Sequence, residues 1–271
     1  MNRSWFLLAA AIAVHAATPP EWVRTTEPFR VVDNIYYVGT EDLACYLVTD
    51  SAGHILINSA LAESTANTLA NVEKLGFRVR DIKILLTNQA HYDHAAGLAE
   101  IQRKTGAKMF ATPPDAILLE TGGALKRGGP PQFAGFDPVK VDRELKDGET
   151  IRLGKTALKV HYHYGHTPGS SSYETTVNDG GTTRTFLFAN MGTVVMPLTS
   201  PDYPKIVEDF RATFARQRVL RPEIWVASHA SQFGMAEKRK KGSFADPRGY
   251  LEAVDKHEKL FERQAKIELG R

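Results

Sequence analysis

The chain has 271 residues, with 34 Lys and Arg against 31 Asp and Glu, a formal net charge of +3, 42% hydrophobic residues and 24% charged ones. Such a balance belongs to an ordinary globular chain long enough to bury a full core. It offers no concentrated basic face of the kind a nucleic-acid partner requires.

In chain order, residues 1–17 come first and have the anatomy of a secretory signal. Arg3 gives a charged start, an apolar run extends from Trp5 to Val14, and small residues lead to cleavage after Ala16 or Ala17. The run is too short for a bilayer anchor, which needs ~20 residues, and no second such run follows. The expected product is an exported periplasmic protein, monomeric and without a membrane anchor, whose residues 18–271 form a single domain. Cys45 is the sole cysteine, so no internal disulfide forms. Its apolar neighbours predict a buried thiol rather than a reactive one.

Short β-branched and aromatic runs then predict strands at 34–39, 45–50 and 54–59. Helical spacing follows over 62–75, with Ala62, Ala66, Leu69, Val72 and Leu75 on one face. IKILLT (82–87) is a nearly continuous apolar run and predicts a strand covered on both sides. NQAHYDHAAG (88–97) follows it directly, and GLAEIQRKT starts the next helix. Further strands are predicted at 157–164, 171–177, 184–190 and 223–229, with helices at 203–218 and 246–268. Two halves of similar layout imply an α/β architecture of two sheets packed face to face with helices outside.

The chemistry concentrates at strand ends. His91, Asp93 and His94 crowd into four positions past a buried strand, where a loop can aim several zinc-type donors at one point. One loop completes only part of a shell, so the remaining ligands must come from elsewhere. His166 leaves a strand after Gly165 and opens the turn-forming HTPGSSS; His229 ends the apolar run IWVAS. His161 and His163 share one strand face, where packing is the commoner use than metal binding. His54 and His257 have surface or satisfied roles. The spacing S-x-x-K is absent, as are G-x-S-x-G and the Walker phosphate loop, which excludes those serine and nucleotide chemistries.

NQAHYDHAAG, GHTPGSSS and ASHASQFG, in that order, resemble the metallo-β-lactamase superfamily. Within it the chain is most similar to the third subclass of class B β-lactamases. SPDYPKIVEDFRATFARQRVL and GSFADPRGYLEAV extend the likeness over almost everything after residue 28. The superfamily loop H-x-H-x-D-H reads Q-x-H-x-D-H here, a variation shared with the glutamine-variant, GOB-type branch.

The resemblance implies an αββα sandwich of two mixed sheets and two zinc positions. Gln89, His91 and His166 would form the first, and Asp93, His94 and His229 the second. It also implies hydrolysis of small-molecule β-lactam antibiotics, hence antibiotic resistance, with Asp93 orienting the water that zinc activates. A neutral glutamine oxygen is a weaker zinc ligand than imidazole. The second position is therefore expected to fill first, and one or two ions to be held.

Lactonase, nuclease and glyoxalase-like thioesterase relatives share the loop. They usually add a bridging carboxylate in the segment matching FANMGTVV, where this chain has Asn190 and Met191. Thr193, Ser170, Ser171 and Tyr92 are candidates for substrate contact. TGGALKRGGPPQF (121–133) is expected to be an irregular loop able to act as a lid, and EKRKKG (237–242) a solvated loop.

Overall fold

Ile55 and Ile57 face one side of a strand and Leu56 the other, and this alternation sorts the whole N-terminal half. Ile55 and Ile57 join a core with Leu158, Tyr173 and Phe188, whereas Leu56 joins Leu69, Leu98 and Leu118 in a second one. The computed structural model describes residues 18–131 and 134–270; the stretch read as a secretory signal lies outside them.

From the N-terminus, a single turn α1 (Pro20–Val23) precedes β1 (Phe29–Val32), β2 (Ile35–Tyr37), β3 (Tyr46–Asp50) and β4 (Gly53–Ile57). Helix α2 (Thr65–Lys74), β5 (Ile82–Leu86), the one-turn α3 (Tyr92–Ala95), α4 (Leu98–Thr105) and β6 (Lys108–Ala111) come next. Then α5 (Pro113–Thr121), β7 (Val141–Glu144), β8 (Thr150–Leu153) and β9 (Thr156–Tyr162) lead to β10 (Ser171–Asp179) and β11 (Thr182–Ala189). The chain closes with α6 (Ile206–Gln217), β12 (Ile224–Ala227), α7 (Met235–Lys241) and α8 (Pro247–Leu269).

Seven strands form one sheet in the order β1-β2-β3-β4-β5-β6-β7, and five form the other in the order β12-β11-β10-β9-β8. Both are mixed: β4, β5, β6 and β7 run parallel, as do β11 and β12, while the remaining pairs are antiparallel. The parallel pairs of the larger sheet need crossovers, which α2, α4 and α5 supply, and those helices cover its outer face. Phe210, Phe214 and Phe261 of α6 and α8 pack together beside the smaller sheet. The result is the α/β sandwich expected of the sequence.

Four strands escape the sequence pattern. β1, β7 and β8 are sheet edges of four residues, and β6 is a four-residue strand, KMFA, whose three successive apolar residues conceal the alternation of exposed Lys108 and buried Met109. The buried face of α2 is also rotated from the expected one. Thr65, Thr68, Leu69, Asn71 and Val72 point inward, leaving Ala62 and Ala66 exposed. Asn71 takes the inward place because its amide donates to the carbonyl of Val38 at 3.1 Å. The basic run 237–242 is not a loop but lies mostly in α7, bracketed by Gly234 and Gly242, both with positive φ. Lys238 is buried there, with Nζ 4.4 Å from the Trp225 ring centre and 3.2 Å from Asp246 Oδ2. Cys45 is buried, and burial pushes its thiol up to about 12.

Two asparagines join the sheets where their strands end. Asn58, at φ 64°, donates to the carbonyl of Ala44 and to Asn88 Oδ1 while accepting from Asn88 N. Asn88 in turn donates to the carbonyls of Ser171 and Phe188 in the opposite sheet.

Close backbone approach fixes Gly165, at φ 125°, where a Cβ would stand 2.8 Å from the Phe210 ring. Gly165→Ala combines this overlap with a strained φ and should cost roughly 2–4 kcal/mol. Equilibrium denaturation measures it.

Candidate metal centre

Each functional side chain projects from the end of a strand or the first turn beyond it. Past β5, Asn88 is pinned by Asn58, so Gln89, His91, Asp93 and His94 emerge in a short arc that closes as α3. Ser59, between Asn58 and Ala60 (φ 58°), donates both its N–H and its hydroxyl to the carbonyl of His94. His166 lies in the turn from β9 to β10, and His229 follows β12. These four strand ends lie at the same edge of the sandwich.

Six predicted ligands therefore come together in two groups. Asp93 Oδ2 is 3.1 Å from His94 Nε2 and 3.4 Å from His229 Nε2, and the two imidazole nitrogens are 3.2 Å apart. Donors held about 2.0–2.1 Å from a tetrahedral zinc ion stand about 3.3–3.4 Å from one another. The three atoms thus outline one triangular face of such a shell. Among the described residues no fourth His, Cys, Asp or Glu joins these three, and a set of three protein ligands is the pattern of catalytic rather than structural zinc sites.

In the second group, His91 Nδ1 lies 2.7 Å from Gln89 Oε1 and 3.1 Å from His166 Nε2. The His pair fits the same shell, whereas the glutamine pair stands at hydrogen-bond length. A cation there would require the Gln89 oxygen to draw back by roughly half an ångström. All three donors are neutral, so this group offers a cation no counter-charge.

The ring orientations are set from behind. His229 Nδ1 donates to Asp42 Oδ2 at 2.9 Å, which leaves Nε2 facing inward, and Asp42 also accepts from Ser231 N. The carbonyl of Thr193 accepts from His166 Nδ1 at 2.7 Å, so Nε2 of that ring faces the site. Such partners fix tautomer and orientation in histidine–metal centres.

Electrostatics agree with the ligand roles of His91, His94, His166 and Asp93. Burial, with help from the neighbouring His166, holds His91 far below the usual imidazole range; burial also lowers His94, and takes His166 down to about 4. These rings are neutral and able to offer lone pairs. Burial works against ionised Asp93, but its histidine partners outweigh that and hold it well below the usual carboxylate range. For His229, burial is likewise outweighed, by Asp42 and Asp93, and its pKa rises to about 9.

The other candidates take different places. Ser170 is fully buried, and its hydroxyl donates to the carbonyl of His163, so it shapes the turn and is not open to a substrate. Ser171 is also buried, bonded to Tyr173. Thr193 is half-buried and sits behind His166. Tyr92 is half-buried against Trp22, ring centres 6.3 Å apart, and Trp22 stands 5.7 Å from His229. His161 and His163 do not join the centre: His161 pairs with Glu174, His163 with Ser172.

Sequence reasoning missed Asp42, Trp22 and Asp115. Asp115, buried in α5, has its carboxyl pushed up to about 7 by burial, against hydrogen bonds from Thr167, Gly169 and Ala90. None of the three lies in a motif. A cavity of 550 Å³, with none of the six donor residues in its lining, opens between Leu125, Lys126 and Pro131 of the long loop and Val195, Met196 and Asp202. Lys126 reaches Asp202 across it at 3.4 Å.

A two-sheet sandwich with a paired histidine–carboxylate centre at one edge defines a class of metal-binding protein, and comparison with known proteins specifies it. Residues 39–180 match the family described as the metallo-beta-lactamase superfamily. A class B3 di-zinc metallo-beta-lactamase from an Alaskan soil metagenome, LRA-12, is 41% identical; the match covers 92% of this chain and 98% of that one, with a TM-score of 0.86. The metallo-beta-lactamase GOB-18 from Elizabethkingia meningoseptica is 39% identical over 96% and 99% of the two chains, also at 0.86. A probable metallo-hydrolase from Burkholderia pseudomallei is 31% identical over 42% of this chain, which spans 37% of that relative's length. The chain belongs to the metallo-β-lactamase superfamily.

Asp42→Ala removes the carboxylate behind His229 and should weaken zinc binding at the Asp93–His94–His229 group ten- to hundredfold. Competition against a chromophoric chelator reads the change.

Proposed function

We propose that the chain is a zinc-dependent β-lactamase of the third class B subclass, opening the amide ring of β-lactam antibiotics. The observation that carries this reading is the triangle of Asp93, His94 and His229 donors, with the Gln89, His91 and His166 group beside it. The likeness to class B3 enzymes over nearly their whole length supports it.

When bound, zinc supplies Lewis acidity, which makes hydroxide available from water near neutral pH and polarises a carbonyl. The chain's own groups do the placing. Asp93 commits Oδ2 to the donor triangle and keeps Oδ1 to accept a hydrogen bond from the attacking water. Asp42 and Thr193 hold the rings of His229 and His166 from turning.

A lactonase or thioesterase reading is weaker, because the segment that would provide a bridging carboxylate is occupied otherwise. Asn190 is buried, with its amide donating to the carbonyl of His163, and Met191 is in the core. Export to the periplasm, supported by the charged start and apolar run of residues 1–17, is part of the same proposal.

Hydrolysis of a chromogenic cephalosporin tests the reading. Activity is expected, lost on chelation and restored by zinc; a zinc-loaded protein that leaves the reagent intact would refute it. The charge difference between the two groups gives a second test. The group containing Asp93 carries a formal negative charge and the other none, so the former should fill first. In a zinc titration of metal-free protein, Gln89→His should tighten the weaker position at least tenfold and leave the stronger one unchanged.

A further inference from the structure

The weaker metal position is built from two separate loops, and a single buried side chain ties them together. Asp115 Oδ2 accepts from Ala90 N at 3.0 Å and from Thr167 Oγ1 at 2.9 Å, while Oδ1 accepts from Gly169 N at 2.9 Å. Ala90 lies between Gln89 and His91, and Thr167 follows His166. One carboxylate thus stands one residue away from all three donors of that position.

The surroundings make it a rigid brace. Asp115 is 2% exposed. Gly169 is pressed so close that a Cβ there would sit 2.3 Å from Asp115 N. Thr112, at the head of α5, donates to the carbonyl of Gly169. The helix start therefore grips the His166 turn through backbone and side chain together. Among the described residues no such bond joins Asp115 to the other metal position, where His229 is held by Asp42 and His94 by Ser59.

We infer that Asp115 is a positioning residue for the Gln89–His91–His166 position, fixing the separation of its two loops. The inference rests on the zinc reading above. Its consequence is that a position with a weak glutamine donor and no anionic ligand depends on preorganisation more than its neighbour does. A carboxylate suits this task because all three partners are donors. An asparagine would present an NH2 group to one of them in either orientation, leaving a buried donor without an acceptor.

The test measures both zinc dissociation constants of the whole chain by chelator competition, with near-ultraviolet circular dichroism as a check on tertiary structure. Asp115→Asn should raise the constant of the weaker position ten- to hundredfold and change the stronger one less than about threefold. Thr167→Val removes one of the three bonds and should weaken the same position by a smaller factor. It keeps the question open to experiment even should the asparagine variant fold poorly. Wild-type constants at both positions in either variant would overturn the inference, as would equal weakening of the two positions. A wild-type chain that binds no zinc would overturn the zinc reading itself, whereas one that holds a single ion would overturn only the inference.

Discussion

Lone pairs aimed at one another inside a protein need something between them. Asp93, His94 and His229 point an oxygen and two nitrogens toward a common centre, at separations of 3.1 to 3.4 Å. Burying a carboxylate and two imidazoles in this way is costly unless their charge and lone pairs are satisfied. In the bare chain, a second proton on His229 partly does so, consistent with its raised pKa. A divalent cation satisfies all three at once, and the rest of the architecture serves to hold them ready for it.

The sandwich supplies that hold through strand ends. Asn58 and Asn88 lock the two sheets where β5 meets β10 and β11, so loops from both sheets start from fixed points. Tyr46 adds a bond from its hydroxyl to the carbonyl of Ala227, anchoring β12 just before His229. Positive φ at Asn58 and Ala60 marks the cost of turning the chain tightly enough for Ser59 to reach His94. The two donor groups then differ in kind. One carries an anionic ligand; the other replaces charge with neutral donors and a brace behind them.

Much of this was legible in the sequence. IKILLT, with its run of apolar residues, had to be a buried strand, and polar donors placed directly after it had to lie at a sheet edge. His166 and His229 were readable for the same reason, since each interrupts an apolar or alternating run near turn-forming residues. Edge strands such as β7 were not legible, because VDRE has only one residue to bury. Nor were the supporting groups. Asp42 meets His229 across 187 residues of chain, and Asp115 meets Gly169 across 54. Their function exists only through adjacency in three dimensions, and a lone aspartate in GTEDLAC has no local pattern that marks it. Ser170 misled for the converse reason: a hydroxyl near a ligand in sequence was spent on the turn's own carbonyls.

Anomalous scattering at the zinc absorption edge, from crystals given one equivalent of zinc and then an excess, reports most directly on the central claim. The first peak should lie among Asp93, His94 and His229, and the second among Gln89, His91 and His166. A first peak beside Gln89, or density at neither place, would contradict the account.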